Sequence, residues 1–364
     1  TDDIEVFDGY EVWQAYTFGI KPFAITKGGN DMRIWDAETG ESLHVFDDIS
    51  PGSMLATSIS NHVAVLDTER GVLRVMNAAT SQNLSSFNIG QVDEAVALCL
   101  SPQGSLLVIF CEDRCLRIWT CAAHASPTEI SFDLDSELQH AGISRDASAA
   151  VWATKRTINL WKLEGSEVST AQLDNWEDGK EVGLCAMALW HDPSAVIVGM
   201  CNEDGEVMIW EPKNVDNPRP WVIHHLHDCA WRHMLFPEAT QILVAGNDDV
   251  VTLFQLNPDH SPTTRTSSFA LPKGVRLQAI SRVNDNSSTY LLTLHGLRDQ
   301  DQYHGLMAVK MELDLPNPPS LPLCWLPSDI EVTSTSVKDY RVVLCCESGE
   351  VLILDISGIQ KYGF

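Results

Sequence analysis

The sequence predicts an all-β fold built from eight small antiparallel sheets, and three observations carry that prediction. A four-residue pattern, apolar, any residue, apolar, then a large residue, recurs along the chain. A second short apolar run precedes each copy, with turn-forming residues between the two. No stretch in between shows the apolar spacing of roughly 3.6 residues that marks a useful amphipathic helix.

The pattern reads Met32-Arg33-Ile34-Trp35 in the first unit and Leu73-Arg74-Val75-Met76 in the second. It continues as Leu116-Arg117-Ile118-Trp119, Ile158-Asn159-Leu160-Trp161, Val207-Met208-Ile209-Trp210 and Val251-Thr252-Leu253-Phe254. Met307-Ala308-Val309-Lys310 and Val351-Leu352-Ile353-Leu354 are weaker copies. The fourth residues stand 41 to 56 positions apart, so 364 residues divide into eight units of about 45. The preceding runs are Lys21–Ile25, His62–Leu66, Ser105–Phe110, Ala149–Ala153, Ala195–Met200, Gln241–Ala245, Tyr290–Leu294 and Arg341–Cys345. Turn-formers such as Gly28-Gly29-Asn30, Asp204-Gly205 and Ser348-Gly349 separate the runs. Short apolar runs bounded by Gly, Asn and Asp read as paired antiparallel strands.

Short sheets at this interval, with Trp-Asp closing one strand, resemble the WD-repeat β-propeller family. The resemblance rests on Arg33-Ile34-Trp35-Asp36, Arg117-Ile118-Trp119-Thr120, Asn159-Leu160-Trp161-Lys162 and Met208-Ile209-Trp210-Glu211. It implies one propeller domain over residues 1–364, of four-stranded blades in a closed ring. It also implies an Asp six residues before the Trp, hydrogen-bonded toward its strand. Asp113, Asp204 and Asp248 fit that position, whereas Lys155 and Gly29 do not, and the usual Gly-His dipeptide is missing. Eight blades are expected, with seven as the alternative if the unit marked by Lys310 is an elaborated loop. Ile4-Glu5-Val6 is expected to complete the last blade and protect its edge. Trp35, Trp119, Trp161 and Trp210 are expected to pack between blades, and Trp152 and Trp190 within the core. Leu98-Cys99-Leu100-Ser101-Pro102, His191-Asp192-Pro193 and Asp36-Ala37-Glu38-Thr39-Gly40 resemble the divergent C-terminal repeats of fungal NACHT-type nucleotide-binding receptors. That resemblance implies the sensing end of a larger signalling ATPase, with upstream domains of the same polypeptide among its partners.

Charge narrows the function. With 24 Lys and Arg against 50 Asp and Glu, the net charge is −26. Such a surface repels nucleic acid and an anionic membrane leaflet, so neither is expected as a partner. No apolar run approaches the ~20 residues of a spanning helix. Thr1-Asp2-Asp3 opens no secretory signal, and the missing initiator Met fits an excised fragment. The chain has 10 cysteines, and Cys99, Cys185, Cys201, Cys345 and Cys346 lie in apolar runs where reduced thiols act as small hydrophobes. An intracellular, cytoplasmic protein is expected.

No nucleophile elbow, phosphate-cradling loop or His-Glu-x-x-His motif occurs, so the chain reads as a non-enzyme without a cofactor. His224-His225-x-His227-x-Cys229 followed by His233 has the residue types of a zinc site. On one strand, however, His224 faces away from His225, His227 and Cys229, and no metal ligand is assigned. The remaining reading is a binding surface of loops. The expected hairpin loop Leu294–Leu306 carries Arg298, Asp299, Asp301, Tyr303 and His304. The loop Leu173–Gly183 holds Trp176 among Asp174, Glu177 and Asp178, and Leu315–Pro327 holds Trp325. Trp, Tyr and Arg anchor interfaces because they bury much area at little entropic cost. Trp176, Arg298, Tyr303, His304 and Trp325 are therefore the expected partner-binding residues of a scaffold or sensor that takes a protein or peptide. Two rivals stand beside it: an acidic reader of basic peptides such as histone tails, and a metal-dependent enzyme.

Overall fold

The computed structural model describes residues 14–18, 23–27, 31–36, 39–47, 49–50, 53–58, 61–80, 82–89, 95–100, 106–111, 115–120, 129–134, 138–143, 149–162, 168–173, 183–191, 196–202, 204–212, 220–225, 231–238, 240–246, 250–257, 262–284, 287–298, 301–313, 315, 317–327, 330–347 and 351–364.

Each sequence unit becomes one sheet whose strands pair in chain order. The first holds β1 (Gln14–Phe18), β2 (Phe23–Lys27), β3 (Asp31–Asp36) and β4 (Ser42–Asp47). The second holds β5 (Met54–Thr57), β6 (His62–Asp67), β7 (Val72–Asn77) and β8 (Asn83–Asn88). Then come β9 (Ala95–Leu100), β10 (Leu106–Cys111), β11 (Cys115–Thr120) and β12 (Glu129–Asp133). The fourth sheet is β13 (Leu138–Ile143), β14 (Ala149–Thr154), β15 (Thr157–Lys162) and β16 (Val168–Gln172). The fifth is β17 (Leu184–His191), β18 (Val196–Asn202), β19 (Glu206–Trp210) and β20 (Trp221–His225). The sixth is β21 (Trp231–Glu238), β22 (Gln241–Gly246), β23 (Val250–Leu256) and β24 (Pro262–Ala270). The seventh is β25 (Val275–Arg282), β26 (Thr289–Arg298), β27 (Asp301–Lys310) and β28 (Ser320–Trp325). The last is β29 (Val332–Lys338), β30 (Arg341–Cys346) and β31 (Val351–Asp355). The chain forms two compact units, residues 1–91 with 271–364, and residues 92–270.

Seven four-stranded antiparallel blades are thus present, the lower of the two expected counts. The unit marked by Lys310 is a complete blade rather than an elaborated loop. The unit that falls short of the preferred eight is the last, which has three strands among the described residues. After Asp355 the chain leaves the sheet as a 3-10 helix, Ser357–Tyr362, which buries Ile359 and ends at Gly363 with φ 82°. Closure by residues 4–6 lies outside the described residues.

The apolar runs are the second strands, and β2, β14 and β18 are buried at every position. A strand covered on both faces needs no polar alternation, which is why these runs read as continuous. Third strands carry the repeat marker into the seam between neighbouring sheets. Trp35 packs with Ala24, Val343, Cys345 and Val351, and its Nε1 donates to Thr26 Oγ1 at 2.9 Å. Trp210 joins Val151, Leu160 and Met200 in one cluster, and Trp161 is only 2% exposed. Trp152 is buried and Trp190 half-buried, with its Nε1 lacking a partner. Trp119 has no described side chain. Asp204 is exposed, and its turn is tied instead by Asn202, whose Oδ1 accepts Glu206 N at 2.8 Å.

First strands lie side by side within each unit, β13 against β17 and β17 against β21, β25 against β29 and β29 against β1. Six of them carry a one-residue bulge, at Val96, Gln139, Cys185, Arg232, Gln278 and Thr333. A bulged residue is unpaired in its own ladder and free to aim elsewhere. Gln139 Oε1 accepts Leu184 N at 3.3 Å, and Gln278 Nε2 donates to Val332 O at 2.8 Å. Leu184 and Val332 each stand just before the bulge of the following first strand, so the two clasps are equivalent. Among the described residues, no helix is long and apolar enough to cross a membrane.

Candidate binding site at one end of the seventh sheet

The segment expected as the loop Leu294–Leu306 is a ladder. Strands β26 and β27 pair at all ten positions, from Thr289 opposite Lys310 to Arg298 opposite Asp301. Gly296, Gly305 and the charged tip read as loop in the sequence, but main-chain bonds across a hairpin require no apolar alternation. On one side β25 begins at Val275, opposite Gly296; on the other β28 ends at Trp325, opposite Gly305. Beyond those positions the hairpin continues as a two-stranded ribbon, with Arg298 and Tyr303 on its backbone. The expected loop Leu315–Pro327 likewise contains a strand, β28, and Trp325 is its last residue.

Trp325 is 47% exposed. Its ring lies on Gly305: a Cβ there would stand 2.1 Å from Cε3 and 2.2 Å from Cζ3. Only glycine admits that approach. The next residue along β27, His304, therefore projects to the other face, because successive strand residues alternate. It is buried, at 5% exposure, toward the sheet β29–β31. Its Nδ1 lies 3.3 Å from Gln278 Oε1, and its carbonyl accepts Leu326 N at 2.8 Å. Its ring centroid is 5.0 Å from that of His295, directly opposite on β26. Burial holds His304 below the ordinary histidine value, the neighbouring His295 adds to this, and the Glu331 carboxylate opposes it. Burial also pushes the Cys324 thiol up.

Four of the five expected residues thus come to one end of one sheet, though on two faces. Arg298 and Tyr303 sit on the ribbon, Trp325 stands at its root, and His304 is turned inward. Trp176 lies outside the described residues, between buried Leu173 and buried Leu184 in the sequence. Gln278, His295, Gly305 and Glu331 were not singled out from the sequence. One signal for the histidine pair is readable there, since His295 and His304 are equidistant from Asp299-Gln300. Of the candidate ligands around His224, the His224 ring lies 4.8 Å from that of Phe254, tilted by 49°, and strand β20 ends at His225. His227 and Cys229 lie outside the described residues.

No family model and no curated protein matches the chain. Among solved structures, Hsv2 of Kluyveromyces lactis is similar at 11% identity and a TM-score of 0.57, over 88% of this chain and 100% of that one. The dihydro-heme d1 dehydrogenase NirN, in complex with DHE, is similar at 13% identity and a TM-score of 0.59, over 83% of this chain and 64% of NirN. At such identities the likeness carries the fold alone, and with the bladed sheets it establishes an all-β propeller.

Proposed function

We propose that the chain is a non-catalytic interaction domain that grips a protein or peptide through the ribbon end of the seventh sheet. Trp325 is the anchor, and Arg298 and Tyr303 flank it on the ribbon; Trp176 is proposed as a separate contact of its own. The observation that carries this reading is the half-exposed Trp325 ring laid on Gly305. A tryptophan held flat on a glycine presents a large, pre-oriented apolar surface, which is how interface hot spots gain affinity at low ordering cost.

The WD-repeat reading belongs with this proposal, supported by the buried Trp35, Trp161 and Trp210. So do a single ring closed by residues 4–6 and a place at the sensing end of a NACHT-type receptor. Cys201 and Cys345 are buried and free, which fits a reducing, intracellular setting.

A net charge of −26 favours a second reading, capture of basic peptides by the acidic surface. Salt separates the two, because exposed charge pairs are screened and apolar contacts are not. The immobilised chain and its Trp325→Ala variant are offered Lys/Arg-rich peptides and aromatic-aliphatic peptides at low and high salt. Retention at high salt that Trp325→Ala abolishes supports the anchor. Retention of basic peptides alone, stripped from both forms by salt, supports the second reading. Equal retention by both forms at high salt removes Trp325 from the site.

A further inference from the structure

We propose that His295 and His304 form a two-histidine chelate for a late first-row divalent ion, copper(II), nickel(II) or zinc(II), at the root of the β26–β27 ribbon. The inference starts from Gln278. Its Nε2 donates to Val332 O at 2.8 Å, which leaves Oε1 facing His304 Nδ1 at 3.3 Å. An amide oxygen only accepts, so His304 carries its proton on Nδ1 and a lone pair on Nε2. Metal-binding imidazoles are held in this way, one ring nitrogen tied to an oxygen and the other presented to the ion.

Among the described residues, no group donates to that Nε2. His304 keeps 5% of its surface exposed, and His295 across the ladder is half-buried. His295 stands directly across the ladder, its ring centroid 5.0 Å away and its plane inclined at 32°. Two imidazoles bound through one nitrogen each at about 2.1 Å, at a near-tetrahedral angle, place their centroids roughly 5 Å apart. No group of three possible ligands occurs among the described residues. The two ring nitrogens are therefore the protein's share, water completes the shell, and copper(II) binds tightest by the usual order of divalent affinities. The inference does not depend on the proposed partner.

The test titrates the full chain, stripped with a chelator, with copper(II), nickel(II) or zinc(II) chloride in separate calorimetric runs. Electron paramagnetic resonance of the copper form follows. One saturable equivalent is expected, tightest for copper, with hyperfine splitting from two imidazole nitrogens. His295→Gln and His304→Gln should each abolish it. Gln278→Leu should weaken it about 10- to 100-fold by releasing the tautomer. A His225→Gln/His227→Gln variant should bind like the wild type. Absence of a saturable site in the wild type overturns the proposal, as does survival of the equivalent in His295→Gln or its loss only in the His225/His227 variant. Should His304→Gln fail to fold, half-buried His295 carries the test alone.

Discussion

The fourth and seventh sheets share a plan and use it differently. Each has a bulged glutamine on its first strand that clasps the next sheet, Gln139 in one and Gln278 in the other. In the fourth, β14 is buried along its whole length and the following turn closes on itself. Thr154 Oγ1 accepts Thr157 N at 3.0 Å, Asn159 Nδ2 donates to Thr157 Oγ1 at 3.0 Å, and Thr170 Oγ1 donates to Asn159 Oδ1 at 2.8 Å. In the seventh, the corresponding hairpin outruns its neighbours, the clasp serves a histidine as well as a carbonyl, and a tryptophan is left half in solvent. The difference separates what a blade needs in order to pack from what has been added to this one.

The sharpest break in that comparison is between two tryptophans. Trp161→Ala should cost about 3–5 kcal/mol, because it empties a buried site. Trp325→Ala should cost less, about 1–2 kcal/mol, because half of its ring already stands in solvent. Urea unfolding of both variants measures the contrast, and equal losses would refute the division between packing and added features. Next is Gly305→Ala, expected to destabilise by about 1–3 kcal/mol as the new Cβ forces the Trp325 ring away. A shift in tryptophan emission would report the displaced ring.

The clasps come third. Gln278→Leu leaves both Val332 O and the His304 ring without their bonds, a loss of about 1–3 kcal/mol. Gln139→Leu, which releases one amide, should cost less in the same unfolding assay.

The smallest effect is a pH dependence confined to the seventh sheet. His304 titrates below the ordinary histidine value chiefly because it is buried. As pH falls below about 6.5 the unfolded chain takes up the proton first. Stability then declines, by at most about 1.4 kcal/mol per pH unit, until His304 itself protonates. Above that range the contribution is whole. His304→Gln should flatten the profile between pH 7 and 5, in an otherwise identical series of melts.

The blades were legible because a covered strand must be apolar and because Trp35, Trp161 and Trp210 occupy the same place in their units. The ribbon was not, since glycines and charges at a hairpin tip look the same whether or not the main chain pairs across it. Nor were the clasps: a bulge is a mismatch between two strands, and neither Leu138-Gln139 nor Leu277-Gln278 shows it alone. The eighth sheet was half legible, in that Val351-Leu352-Ile353-Leu354 marks its third strand, yet the 3-10 turn that seats Ile359 has no signal beyond Gly363. Trp325 could be nominated as a tryptophan in a proline-rich stretch, but its platform could not, because Gly305 lies twenty positions away and reads as a turn-former.

The clasps also bear on how such a chain can drift. In both, the donor or acceptor on the neighbouring sheet belongs to the main chain, at Leu184 N and Val332 O. Substitution of either neighbour's side chain leaves the bond in place, so the contact is inherited through one position rather than a matched pair. Repeats joined in this way can lose their resemblance to one another almost residue by residue while adjacent sheets remain fastened.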